Sequence, residues 1–221
     1  MGHFKNLALE KERKSLELFC GTKSFTKIAS NFGFETMTLD SEEEFSPDIC
    51  CNILDFDIDM LKGFRPDVIW ASPPCTKFSV ASMGHHWTKE GEVRTPKSQG
   101  AVEAIKIIEK TVEIIKALKP KFLYIENPRG MLRKLDLIPW PKVTVTYCQY
   151  GFSYMKPTDI WSNNYSWQRW HAKSCKYGDP CHEPAPRGSK AGIQALKNAK
   201  EKGVIPPDLI NEILVSTEQL L

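Results

Sequence analysis

No apolar run in this 221-residue sequence approaches the ~20 consecutive residues needed to span a bilayer, so a membrane role is not expected. A charged-then-apolar leader is missing as well, and the cysteines number seven, an odd count. A secreted disulfide framework is therefore not expected, and the thiols read as reduced, in a cytoplasm. Charge of one sign is not in excess: 30 Lys and Arg stand against 27 Asp and Glu, a net charge of +3. Internal repeats and low-complexity segments are lacking too. The first candidate turn lacks the three-glycine spacing of dinucleotide-binding loops, which places a nicotinamide-dependent oxidoreductase last among the readings. What is there, at 41% hydrophobic residues, can bury one substantial core, and nothing suggests two domains of comparable size.

The apolar pattern predicts alternating strands and helices. Leu16 to Phe19 reads as a strand, and Ser24 to Ala29 takes helical spacing until Asn31-Phe32-Gly33 stops it. A second strand from Phe34 to Leu39 ends at Asp40, a short third lies around Cys51 to Leu54, and a fourth runs from Asp67 to Ala71. Thr76 to Gly100 is polar and reads as a long irregular loop, the kind that often carries function. Val102, Ile105, Ile108, Val112, Ile115 and Leu118 recur at three and four residues, with charged residues between them and Pro120 closing the run, so an amphipathic helix is predicted. A fifth strand, Phe122 to Ile125, leads into Glu126, and two more lie around Val143 to Tyr147 and Asp159 to Trp161, the last antiparallel. Ser162 to Gly203 sustains no apolar period, whereas Pro207 to Leu214 reads as a terminal helix. The whole predicts an α/β fold with a mostly parallel sheet and helices on both faces.

Two strand ends carry chemistry. Pro73 and Pro74 have no N–H to give a sheet, so they turn the chain out and present Cys75 at the carboxyl edge, where parallel sheets bind ligands. A thiol at a strand-to-loop junction near a helix start is expected to have a lowered pKa and to serve as a nucleophile. Alone, Cys75 reads equally well as a small buried apolar residue. Glu126, beside a core strand of Phe, Leu, Tyr and Ile, loses hydration and can hold or give a proton, although a helix-capping glutamate is the plainer reading. Together the pair suits attack of a thiolate on an electron-poor ring while an acid assists a ring nitrogen.

With Phe19-Cys20-Gly21, Pro73-Pro74-Cys75, Glu126-Asn127-Pro128 and Gln149-Tyr150-Gly151 in this order, the chain resembles the cytosine carbon-5 methyltransferases, which use S-adenosylmethionine. The likeness covers roughly residues 15 to 165, and Ile205-Pro206-Pro207 resembles the family's closing motif. It implies a Rossmann-like methyltransferase fold, with 1–14 an N-terminal extension and 15–221 a single domain. It also implies a covalent mechanism, in which Cys75 attacks carbon-6 of a flipped cytosine and Glu126 serves ring nitrogen-3, giving 5-methylcytosine in DNA. Phe19, Cys20, Gly21, Asp40, Asn52 and Pro73 would hold the cofactor, with Asp40 reaching the ribose. Ser79, Asn127 and Lys156 would meet the substrate. A compact bacterial or phage-type enzyme of restriction-modification kind, acting in the cytoplasm of the cell or infected host, follows from the likeness.

The chain departs from the family pattern in three places. Lys23 stands where a second glycine is usual, Asn52 where an aspartate is usual, and Met155, Lys156, Thr158 and Asp159 occupy the stretch that supplies two arginines near the target base. The target-recognition region, 162–204, is much reduced, so a separate specificity partner is one expectation, and RNA in place of DNA or a non-catalytic binding homologue are the competing readings. Lysines and arginines gather there: Arg169, Lys173, Lys176, Arg187, Lys190, Lys197, Lys200 and Lys202, with Trp167, Trp170 and Tyr177 nearby. That suits a phosphate-bearing partner, or a plain solvated basic face. His171, Cys175, Cys181 and His182 have the residue types of a zinc site, but adjacent Cys181 and His182 are not a standard ligand pair, and no metal is assigned.

Overall fold

The computed structural model describes residues 12–90, 93–183, 196 and 199–221. In chain order the elements are β1 (Lys14–Leu18), α1 (Ser24–Asn31), β2 (Glu35–Asp40), β3 (Ile49–Cys50), β4 (Val68–Ala71), α2 (Met83–His86), β5 (Trp87–Glu90), β6 (Val93–Pro96) and α3 (Gln99–Leu118). They continue with β7 (Phe122–Pro128), β8 (Lys142–Thr146), β9 (Pro157–Ser162), α4 (Tyr165–Trp170), α5 (Ala199–Gly203) and α6 (Pro207–Glu218). Seven strands form one sheet in the order β3-β2-β1-β4-β7-β9-β8. The pairs from β3 through β7 are parallel, and β9 lies antiparallel to both of its neighbours. The antiparallel strand foreseen as last in the chain is thus inserted between β7 and β8 and leaves the edge to β8.

Alternation along the central strands divides the core in two. In β4, Ile69 and Ala71 face α3, joined by Leu16 and Leu18 of β1 and by Leu123 and Ile125 of β7. Val68 and Trp70 face the other way and pack with Tyr124 against α1 and α6. The same period-two rule sends Glu17, between Leu16 and Leu18, to the α1 side. On that side Phe25, Trp70 and Tyr124 stack at 5.3 and 5.9 Å between ring centroids, and Trp167 closes the row edge-on at 6.3 Å. Helices cover both faces as expected. Helix α3 starts at Ser98, whose side chain accepts from the Ala101 N–H, and stops at Lys119, which turns left-handed ahead of Pro120.

Four expectations shift. The third strand occupies Ile49–Cys50, because Asn52 caps a 3-10 turn over Ile53–Asp55 where the strand was placed. The long loop contains α2 and an antiparallel β5–β6 hairpin, too short to show a period in the sequence. Strand β7 does not end before Glu126: its parallel partner stops at Ala71, but β9 goes on pairing with it through Pro128 opposite Thr158. Finally, α4 begins at the Asn164 cap, in a stretch read as aperiodic. Strand β1 begins one residue before the boundary drawn at 15; residues 1–11 of the proposed extension, and 184–195 and 197–198 of the region 162–204, lie outside the described residues.

Candidate active site

The Cys75 loop is fastened to β7 by backbone and side chain. The Asn127 amide donates to the Pro73 carbonyl at 2.9 Å, Phe78 N–H donates to Cys75 O at 3.0 Å, and Met131 N–H donates to Phe78 O at 2.7 Å. The approach at Gly130 is so close that a Cβ there would lie 2.2 Å from the Phe78 carbonyl oxygen, which accounts for a glycine at that position. The loop and the strand therefore present Cys75 and Glu126 to one cleft of about 390 Å³, with Lys156 on the same wall.

Glu126 is 6% exposed and accepts a hydrogen bond from the Tyr147 hydroxyl at 3.0 Å. Burial, and next the charge of Glu126, push the Tyr147 pKa well above its ordinary value, so the phenol stays a donor and fixes the carboxyl group. The ammonium of Lys156 sits 4.6 Å from the centre of the Tyr147 ring and donates to the Lys202 carbonyl at 2.8 Å. The expected lowering of the Cys75 pKa does not occur: burial first, then the charge of Glu126, raise it, and only Lys156 and a backbone hydrogen bond pull it down. The thiol sits in no helix N-terminus; the chain after it forms a turn. Thiolate formation at Cys75 is thus opposed by burial and by the charge of Glu126 and favoured by the nearby ammonium.

At the other end of the cleft the chain after β1 alternates through left-handed conformations, with φ +59° at Phe19, +45° at Gly21 and +58° at Lys23. Space beyond Gly21 is open, for a Cβ there would meet no atom within 4 Å. Lys23, the departure from glycine, keeps the conformation glycine would favour, and its ammonium donates to Ser46 O at 2.6 Å. Helix α1 has no cap from Lys23; the Glu17 carboxylate, from the strand below, accepts from Phe25 N–H at 3.2 Å and Thr26 N–H at 2.8 Å. Burial raises the Glu17 pKa to about 7, offset in part by those hydrogen bonds. Burial likewise pushes the Cys20 thiol up to about 12, with help from Asp40 and Glu17, so it is a neutral wall residue.

Of the residues singled out in the sequence, Phe19, Cys20, Gly21, Pro73, Cys75, Glu126 and Lys156 meet on the cleft wall. Four do not. Asp40 gives its oxygens to Gly21 N–H at 2.8 Å and Glu42 N–H at 3.0 Å, and so shapes the turn. Asn52 is exposed and accepts from Leu54 N–H. Ser79 bonds Ser82 in its own turn, and Asn127 is buried on Pro73. The cleft also takes in Glu17 and Phe45, which sequence reasoning did not assign, together with Lys200 and Lys202 of the basic stretch and Ile205 of the closing motif. A carboxylate amid apolar strand residues was a legible signal for Glu17, whereas Phe45 and Tyr147 had none.

The basic stretch is only partly a free surface. Trp167 is fully buried, while Trp170 and Tyr177 are exposed at 69% and 78%. Lys173 pairs with Glu212, and Arg187, Lys190 and Lys197 lie outside the described residues. Of the four residues considered for a metal, Cys175, Cys181 and His182 converge but His171 stays away; Cys148 joins them instead.

The model of the family "C-5 cytosine-specific DNA methylase" matches residues 14–154. A protein of Frog virus 3 (isolate Goorha), called "Probable DNA (cytosine-5)-methyltransferase", is 30% identical over 154 residues, covering 67% of this chain and 69% of that one. Among solved structures, the Entamoeba histolytica methyltransferase EhMeth matches with a TM-score of 0.50 at 12% identity, over 77% of this chain and 55% of that one. The S. pombe Dnmt2 methyltransferase gives a TM-score of 0.43 at 12% identity, over 68% and 48%. The chain thus spans about half the length of these solved proteins. The matched stretch and the viral relative lead to one statement: this chain belongs to the C-5 cytosine-specific DNA methylase family.

Proposed function

We propose that the protein is a DNA (cytosine-5)-methyltransferase that works through a covalent bond to Cys75. The observation that carries this reading is the meeting of Cys75, Glu126 and Lys156 in one cleft, in a chain of this family. The thiolate of Cys75 bonds to carbon-6 of a cytosine swung out of its stack, and the electron pair of the 5,6 double bond makes carbon-5 nucleophilic. Glu126, held by Tyr147, donates the proton of its acid form to ring nitrogen-3, which neutralises the negative charge that would otherwise gather on the ring, and it takes that proton back when the adduct breaks down. Once carbon-5 carries the methyl group, a base from solvent takes its proton, the C–H electron pair re-forms the 5,6 double bond, and the sulfur leaves as the thiolate that attacked.

S-adenosylmethionine, when bound, supplies the methyl group. The residues fit it: the open left-handed turn at Gly21 lets the backbone approach a ligand, Phe19 and Phe45 offer apolar faces, and Glu17 and Glu44 offer acceptors. Asp40 holds that turn. Lys156, Lys200 and Lys202 put three positive groups on the wall of the cleft, which suits the phosphates of DNA. Residues 162–204 form a reduced target-recognition region, and specificity beyond a short site comes from a separate partner.

The test is methyl transfer from tritium-labelled cofactor to matched DNA and RNA pools, with bisulfite sequencing of the DNA. Label in DNA as 5-methylcytosine, lost in Cys75→Ser while cofactor binding persists by calorimetry, is the expected result. Label in RNA alone would redirect the substrate, and unchanged transfer by Cys75→Ser would remove the assigned role.

A further inference from the structure

Away from the cleft, four side chains come together that the reaction does not use. Cys148 lies in the 3-10 turn Tyr147–Tyr150 that follows β8; Cys175, Cys181 and His182 come from residues 171–183 after α4, a described stretch without helix or strand. One potential ligand atom from each lies within 4.8 Å of the other three. The Sγ atoms of Cys148 and Cys181 are 3.7 Å apart, and His182 Nδ1 lies 3.6 Å from Cys175 Sγ and 3.5 Å from Cys181 Sγ. A tetrahedral zinc ion with usual bond lengths needs sulfur–sulfur edges of about 3.8 Å and sulfur–nitrogen edges of about 3.5 Å. The remaining measured edge, Cys148 Sγ to Cys175 Sγ, is 3.2 Å, shorter than the ideal edge but far beyond a disulfide bond of about 2.05 Å. All seven cysteines are free.

We propose that Cys148, Cys175, Cys181 and His182 bind one Zn²⁺ ion, which fastens the segment 173–183 to the turn carrying Tyr147. Three thiolates and an imidazole are the donor set of a structural zinc site and a poor one for magnesium or calcium. Four protein ligands leave no open position, so the ion's role is to tie chain to chain. Its neighbours agree with that role. Lys173 N–H donates to the Tyr150 hydroxyl at 2.8 Å, Cys175 N–H to Thr146 Oγ1 at 2.9 Å, and Glu183 N–H to Ser153 O at 2.9 Å. These pins run along the same seam between the segment and the chain after β8. The seam adjoins Tyr147, whose hydroxyl holds Glu126, so the ion braces the surroundings of the active site without touching substrate. The site stands on its own geometry and survives even if the methyl-transfer reading fails.

The experiment is metal analysis of the whole protein, purified under reducing conditions without chelator from zinc-supplemented medium. About one zinc per chain is expected, falling at least fivefold in Cys175→Ser and His182→Ala but not in His171→Ala or Cys50→Ser. Because a variant lacking zinc can misfold, metal-free wild type is also titrated with Co²⁺. The expected outcome is the intense visible absorption of tetrahedral cobalt-thiolate and protection of three of the seven thiols from alkylation. Zinc retained equally by all four variants, equal loss in His171→Ala and His182→Ala, or folded wild type that takes up neither metal would each overturn the proposal.

Discussion

The sheet from β1 to β9 and the segment from 171 to 183 are held by different forces. The sheet is a continuous ladder of backbone hydrogen bonds with apolar side chains such as Leu16, Ile69, Trp70 and Ile125 buried on both faces. The segment has no ladder, and its holds include side-chain bonds to Thr146 and Tyr150, single backbone bonds to Thr146, Ser153 and Trp167, the Lys173–Glu212 ion pair and the Cys–His cluster. The lesson is a division of labour. The sheet can carry reactive groups because it stays rigid when one side chain changes, while the segment depends on each tether singly.

If that contrast is right, the largest effect belongs to chemistry on the sheet. Glu126→Gln is expected to lower methyl transfer by roughly 10²- to 10⁴-fold, the usual range for a positioned acid, with little change in thermal stability. The same change removes the negative charge that raises the Cys75 pKa, so alkylation of Cys75 by iodoacetamide at fixed pH should become faster. Slower alkylation with slower transfer would mean a distorted loop instead.

Next comes Glu17, which links sheet to helix. Its pKa rises from 4.5 to about 7 in the folded protein, so its contribution to stability is complete below about pH 4.5 and is lost as the pH climbs through about 7. At about 1.4 kcal/mol for each pH unit, that amounts to about 3 kcal/mol across the window. Denaturant unfolding at several pH values should show this decline in wild type and a flatter profile in Glu17→Gln; parallel profiles would refute it.

A smaller, local effect is expected in the segment. Tyr150→Phe leaves the Lys173 N–H without its partner, a loss of about 1–3 kcal/mol. Amide hydrogen exchange should quicken in 172–183 and stay unchanged in β1, β4 and β7. Quickening throughout would show that the two regions are one cooperative unit and would end the comparison.

The smallest concerns Lys23. A non-glycine residue in the left-handed region costs about 1–2 kcal/mol, which glycine would relieve. Both Lys23→Gly and Lys23→Ala lose the bond to Ser46, so denaturant unfolding should find the glycine variant more stable than the alanine one by about 1 kcal/mol. Equal stabilities would show that the turn relaxes.

The sheet was legible in the sequence because burial imposes a period. Val68 to Ala71 and Phe122 to Ile125 are apolar through and through, as doubly covered strands must be, and Pro73-Pro74 marks where the first leaves the sheet. The Cys75 and Glu126 pairing could be read for the same reason, since parallel neighbours end on one edge. Three things escaped. The extension of β7 past Glu126 depends on β9, a partner some thirty residues away, and no local pattern announces it. Asp40, Asn52, Ser79 and Asn127 were assigned to ligands, but the first three bond an N–H two or three residues on, which short polar side chains at turns tend to do, and Asn127 reaches from β7 to the Pro73 carbonyl. Cys148 lay between the strand read to Tyr147 and the Gln149-Tyr150-Gly151 motif, far in sequence from Cys175, so spacing favoured His171 and only the fold could exchange the two.

The most direct test of the paired site uses duplex DNA in which the target cytosine carries fluorine at carbon-5, incubated with the protein and S-adenosylmethionine. Fluorine cannot leave as a proton, so the sulfur cannot be expelled and the covalent complex stalls. The account requires a denaturation-resistant protein–DNA complex whose cross-linked peptide contains Cys75, formed poorly by Glu126→Gln and not at all by Cys75→Ser. Methylation of ordinary DNA with no such complex on the fluorinated duplex, or a cross-link at any other residue, would contradict it.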